Sequence, residues 1–228
     1  MDRALLTTGS EFVDFGYELD LDLAVHLIKK SGAARVGLQA PEGLKRATPI
    51  VAARIAEETE AEVIISGDPC FGACDVDTRL LGEVDLMLHL GHAGIGEEPE
   101  KVIFLEARMN EDLRGVVEKA IGELKSMRVG VATTVQHVHK LDGALEVLAE
   151  HGIEGLLGPA SGRIKYPGQV LGCCYASARA LDVDEYLFIG TGQFHPLGIA
   201  LATGKRVLAA DPVTCEISEI DPDPMLRR

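Results

Sequence analysis

The sequence predicts two homologous α/β domains, each a parallel sheet with helices on both faces. Three observations carry this. One segment is written twice: RVGLQ at Arg35–Gln39 is followed by Gly72-Ala73-Cys74 and VDLMLHLG at 84–91, and RVGVA at 128–132 is followed by Leu171-Gly172-Cys173 and VDEYLFIG at 183–190. Such self-similarity marks duplicated structural units. An aspartate stands eleven residues after the cysteine in both copies, Asp85 after Cys74 and Asp184 after Cys173. The third observation is the pattern between them, short continuously apolar strands alternating with helical spacing, which is how a sheet covered on both sides reads.

In the first copy, residues 18–30 are predicted as an amphipathic helix with Leu23, Leu27 and Ile28 on one side, stopped by Gly32. Residues 35–40 form a buried strand running into the Pro41-Glu42-Gly43 turn. Thr48-Pro49 reads as a cap and first helical residue for a helix over 50–58. The next strand is 61–66, ended by Gly67-Asp68-Pro69, which leaves Cys70 and Cys74 in the loop beyond. Strands are predicted at 84–90 and 101–105. Asn110 is expected to cap a helix with Leu113, Val116, Val117, Ala120, Ile121 and Leu124 on one face.

The second copy starts at Arg128. A helix over 136–150 presents Leu141, Leu145 and Leu148, and a strand follows at 153–157. Residues 158–168 read as an irregular Gly- and Pro-rich loop, with a short strand at 169–171 leading to Cys173. A strand at 185–190, a helix at 196–203 and a strand at 206–210 complete the set. The expected domains are residues 1–126, carrying Cys74, and 127–228, carrying Cys173.

Composition narrows the function. With 46% hydrophobic residues the 228-residue chain can bury a core, and no apolar run is long enough to span a bilayer. The start of the chain lacks the pattern of a secretory leader, so a cytoplasmic protein is expected. A formal charge of −14 opposes direct nucleic-acid binding, which needs a basic field over the phosphates. Five cysteines, an odd number, argue against a disulfide framework and leave buried thiols, metal ligands or a nucleophile.

Each chemistry has its own demands. Structural zinc wants four Cys or His donors, usually in paired knuckles; Cys70-x3-Cys74 can chelate, but adjacent Cys173 and Cys174 rarely converge on one ion. One thiolate per repeat suits an iron–sulfur centre fed from separate domains, since ligands in α/β proteins gather beyond the carboxyl ends of strands. The small residues Gly72, Ala73 and Gly172 are expected to let the backbone approach an inorganic partner. A nucleophilic cysteine would need a histidine such as His195. His26, His137 and His139 read as solvated or packed and His89 as core, whereas His92 and His195 both follow the repeated strand at its ligand-binding edge. Neither GxG segment, at Gly94 or at Gly190, completes a dinucleotide fingerprint.

Four segments then carry a resemblance: LQAPEGLKR at 38–46, SGDPCFGACDVD at 66–77, GQVLGCC at 168–174 and GTGQFHPLG at 190–198. On these the chain closely resembles the archaeal diphthamide synthase, or 2-(3-amino-3-carboxypropyl)histidine synthase, family over nearly its whole length. The resemblance implies three homologous α/β domains, each giving one cysteine to a [4Fe–4S] cluster, in a homodimer. It puts the first ligand at the cysteine of the GAC turn, Cys74 rather than Cys70, and the second at Cys173. Nothing matches the third domain's cysteine; Cys215 is not in a repeat-equivalent loop. A truncated form of the enzyme is therefore expected, with a naturally short homologue as the alternative.

The activity implied is that of an unconventional radical enzyme. S-adenosyl-L-methionine is cleaved between sulfur and the γ-carbon, and the 3-amino-3-carboxypropyl group passes to a histidine of translation elongation factor 2, the first step of diphthamide synthesis. An electron donor is required, and Gln39 and His195 are expected to line the cofactor crevice. A non-catalytic paralogue and a zinc-stabilised binding module are the alternatives.

Overall fold

The structure, a computed structural model, describes residues 11–13, 16–97 and 99–223. Two compact units divide it, residues 1–110 and 111–228.

The first unit opens with strands β1 (Glu11–Val13) and β2 (Tyr17–Leu19), followed by helix α1 (Leu21–Ser31), strand β3 (Arg35–Gln39), helix α2 (Thr48–Thr59) and strand β4 (Glu62–Ile65). Helix α3 (Thr78–Leu81) and strands β5 (Leu86–Leu90), β6 (Val102–Leu105) and β7 (Arg108–Met109) complete it. Strands β4-β3-β5-β6 form a fully parallel sheet in that order, and β1-β2-β7 form a small antiparallel sheet.

Side chains alternate along β5 as strand geometry requires. Leu86, Leu88 and Leu90 join Ile28, Val51 and Ile55 in the core beneath α1 and α2, whereas Met87 packs with Leu80, Val84 and Val102 beneath α3. The sheet is thus covered on both faces. Asp20 caps α1 by accepting from the Leu23 amide, and Gly32, at φ +69°, ends it in the left-handed conformation that glycine takes without steric cost. The buried stripe of α1 is Leu21, Ala24, Val25 and Ile28, one position round from the predicted one; Leu23 and Leu27 are half-buried. Thr48 is the first residue of α2 rather than its cap, and its hydroxyl donates to the Lys45 carbonyl.

The second unit runs through helix α4 (Arg114–Ile121), strand β8 (Arg128–Thr133), a 3₁₀ turn (Val138–Lys140), helix α5 (Leu141–Glu150) and strand β9 (Glu154–Leu157). Helix α6 (Ala176–Arg179), strand β10 (Glu185–Ile189), helix α7 (Phe194–Thr203) and strands β11 (Arg206–Asp211) and β12 (Glu216–Glu219) follow. Its sheet runs β9-β8-β10-β11-β12, parallel except for the antiparallel edge strand β12. Without that edge, the order β9-β8-β10-β11 repeats β4-β3-β5-β6 of the first unit. Leu187 and Ile189 face the core under α4 and α5; Tyr186 and Phe188 face that under α6 and α7.

The division differs from the expected boundary at 126–128. Helix α4 belongs with the second unit because Val116, Val117 and Ala120 are buried with Val129, Leu148 and Leu208. Asn110 does not cap it: the helix begins at Arg114, and the Asp112 carboxylate accepts from the Arg114 amide. The predicted helix over 136–150 is broken into the 3₁₀ turn and α5. The predicted strand at 169–171 is reduced to isolated bridges, Thr133 to Gln169 and Leu171 to Cys174.

Candidate functional site

Cys74 and Cys173 occupy matching places in their own units. Cys74 is in the loop between β4 and α3, and Cys173 in the loop between β9 and α6, beyond the carboxyl ends of the repeat-equivalent strands. Both thiols are exposed. That is where open α/β sheets gather ligands.

The first loop is held from below. Gln39 ends β3 almost fully buried, and its amide donates to the Asp75 carbonyl at 2.7 Å while its carbonyl accepts from the Asp77 amide at 3.0 Å. Asp77 accepts from the Ser66 hydroxyl at 2.7 Å and caps α3 through the Leu80 amide at 2.9 Å. The Leu80 amide bond is the main reason its carboxyl is held below the usual range. Asp75 closes the turn itself, its amide donating to Gly72 and its carboxylate accepting from the Phe71 amide. Cys74 is thereby fixed at the rim, with the Gln39 side chain beneath the loop.

The second loop uses a tighter device. Leu171 and Cys174 exchange both backbone hydrogen bonds at 3.0 Å, leaving Gly172 and Cys173 as a two-residue tip. Gly172 is small for a packing reason: a Cβ there would stand 2.5 Å from the Phe194 ring. The Arg163 guanidinium lies 3.8 Å from the Cys173 sulfur. Burial lowers the pKa of His195, which is the second residue of α7 and stacks on Phe188 at 6.1 Å. His195 lies beyond the end of β10 in the same unit as Cys173.

One group was not foreseen as a cluster. Cys70, buried in the first loop, has its sulfur 3.6 Å from His89 Nε2, which is itself 2.9 Å from His92 Nδ1. Burial pushes the Cys70 thiol up to about 11 and, with the His92 ring beside it, brings His89 down to about 4. His89-x2-His92 across a strand end was a usable signal, but the cysteine comes from a loop across the sheet. His89 also packs on Phe104 at 4.9 Å, so its expected core position holds.

Duplicated α/β units, each presenting one exposed loop thiol beyond the strand ends of its own sheet, define the class of protein by its fold. Residues 40–228 match the family described as "Putative diphthamide synthesis protein", and the chain belongs to that family. It is 41% identical over 207 residues to the 2-(3-amino-3-carboxypropyl)histidine synthase of Pyrococcus horikoshii, an alignment covering 88% of this chain and 60% of the relative. Subunit 1 of the Schizosaccharomyces pombe synthase is 29% identical over 197 residues, 82% of this chain and 45% of that one. The crystal structure of Dph2 from Pyrococcus horikoshii with a 4Fe-4S cluster superposes with a TM-score of 0.84 at 40% identity, covering 92% of this chain and 63% of that one. The chain thus spans less than two thirds of these relatives.

Proposed function

We propose that this chain is the part of a 2-(3-amino-3-carboxypropyl)histidine synthase that supplies two of the thiolates for a [4Fe–4S] cluster, Cys74 and Cys173. The observation carrying the proposal is their placement: two exposed thiols in repeat-equivalent loops, in a chain similar to a protein crystallised with such a cluster. The donor set fits the group, since iron–sulfur clusters take cysteine thiolates, and neither thiol is consumed in a disulfide. The reaction is transfer of the 3-amino-3-carboxypropyl group from S-adenosyl-L-methionine to a histidine of translation elongation factor 2.

When bound, the cluster supplies single-electron reduction, which an electron donor must replenish. The chain's own residues have simpler tasks. Gln39 holds the Cys74 loop through Asp75 and Asp77, so its influence on the site passes through that loop. Arg163 places a positive charge beside the Cys173 sulfur, where a negatively charged cluster would sit when bound. His195, kept neutral by burial, offers an uncharged ring that does not repel a sulfonium substrate. The homodimer, the elongation factor as substrate and a cytoplasmic location belong to the same proposal. Among the described residues no helix is long and apolar enough to cross a membrane.

Anaerobic purification with iron, sulfide and zinc analysis tests the cofactor assignment. Iron and sulfide in equal amounts, with transfer of label from carboxypropyl-labelled S-adenosyl-L-methionine to the factor, support the reading. Stoichiometric zinc with no iron after reconstitution would overturn it.

A further inference from the structure

We propose that Cys70, His89 and His92 form a second metal site, selective for a thiophilic divalent cation such as Zn²⁺ and separate from the cluster ligands Cys74 and Cys173. It stands independently of the catalytic reading above. The three residues each offer one donor atom, and these atoms lie within 4.8 Å of one another. One sulfur and two imidazole nitrogens are donors that zinc accepts, and three protein ligands leave a fourth position for water.

The spacing matches coordination. With Zn–S of about 2.3 Å and Zn–N of about 2.0–2.1 Å, a tetrahedron sets sulfur and nitrogen about 3.5 Å apart and two nitrogens about 3.3 Å apart. Cys70 Sγ and His89 Nε2 stand at 3.6 Å. The two imidazole nitrogens stand at 2.9 Å and must part by about half an ångström to admit the ion. His92 can move, being half-buried and following Gly91. Cys70 and His89 are held, 3% and 0% exposed.

Coordination asks for specific protons to move. Cys70 gives up its S–H proton to solvent as the metal–sulfur bond forms. His89 turns its Nε2 lone pair to the ion and carries its proton on Nδ1, which is buried and has no partner among the described residues. One unpaired donor is a small cost beside the free energy of a structural zinc site. Asp75 adds negative charge near both Cys70 and His89, partly offset at Cys70 by Lys45. A metal here ties the loop carrying Cys70 and Cys74 to the end of β5, the strand that His89 occupies.

Cobalt(II) alone is the probe. Chelator-stripped, iron-free protein under anaerobic conditions is titrated with Co²⁺ and followed by thiolate-to-cobalt charge-transfer absorption. The expected result is one tightly bound Co²⁺ per chain, displaced by Zn²⁺. The band disappears in Cys70→Ser and persists in the Cys74→Ser/Cys173→Ser double variant, a result that holds whether or not the cluster assignment survives. Where Cys70→Ser fails to fold by circular dichroism, His92→Gln decides, with a loss of at least about tenfold in Co²⁺ affinity expected. Absence of stoichiometric binding overturns the site. So does a band that follows Cys74 and Cys173 instead of Cys70, or an affinity indifferent to His92→Gln.

Discussion

At the scale of the residue, chemistry divides the cysteines by exposure. Cys74 and Cys173 are exposed at loop rims, as is Cys215 in the turn between β11 and β12, whereas Cys70 is buried, so of the two thiols in the first loop only Cys74 is open to a large inorganic group. Cys74→Ser and Cys173→Ser are each expected to lose most of the iron retained by the parent under anaerobic reconstitution; undiminished iron in either variant removes that residue from the ligand set. His137 poses a different problem. Both its ring nitrogens are buried without partners among the described residues, and burial lowers its pKa to about 4. An unfolded histidine takes up its proton near 6.5, so below that pH the unfolded chain binds more protons than the folded one. Stability is therefore complete above about pH 6.5 and falls as the pH drops toward 4, by up to about 1.4 kcal/mol per pH unit for this residue. His137→Leu should flatten that slope in urea titrations between those limits, and an unchanged slope would count against the buried neutral ring. His89, also near 4, adds to the parent's slope in the same window.

Elements are secured by side chains whose partners are distant in sequence. Gln39 is the clearest case, since a strand-end glutamine reaches residues 36 and 38 positions away to brace the cysteine loop. Gln39→Leu leaves the Asp75 carbonyl and Asp77 amide unpaired, at about 1–3 kcal/mol for each group that water cannot reach. Faster hydrogen exchange across 66–77 and weaker iron retention are expected; exchange equal to the parent would show that Gln39 is not the brace. Glu185 secures the segment that leads into β8 in the second unit, accepting from the Lys125 and Ser126 amides and pairing with Arg206. Glu185→Gln should lower stability by roughly 3 kcal/mol, the low end for breaking a buried pair, because Arg206 keeps Glu219 at 2.6 Å. A urea midpoint within error of the parent would refute this. The repeated aspartates had a visible spacing but not a visible purpose: Asp85 accepts from the Ala34 and Arg35 amides, whereas Asp184 is an exposed partner of Lys205.

For the whole molecule, the two units predict where a perturbation is felt. Val117 is fully buried among second-unit side chains, so Val117→Ala should speed exchange in β8, β10 and β11, by hydrogen-exchange mass spectrometry. If protection fell instead only in residues 16–110, α4 would belong with the first unit after all. The chain covers 60% of the Pyrococcus horikoshii synthase, and the activity proposed here is that of the whole enzyme.

By itself the sequence determined the duplicated α/β architecture, the main strands and both loop cysteines, because apolar periodicity, turn residues and a repeated cysteine are local signals that survive in one dimension. The family likewise rested on contiguous motifs. Short helices α3 and α6, edge strand β12 and the three-stranded sheet were missed, since two to four residues hold too little pattern to register. Only the tertiary structure decided that α4 packs with the second core, that Gln39 braces a loop, and that Cys70 meets His89 and His92. Each depends on parallel strands bringing distant segments to one sheet edge, and no spacing along the chain encodes which loop will cross which strand.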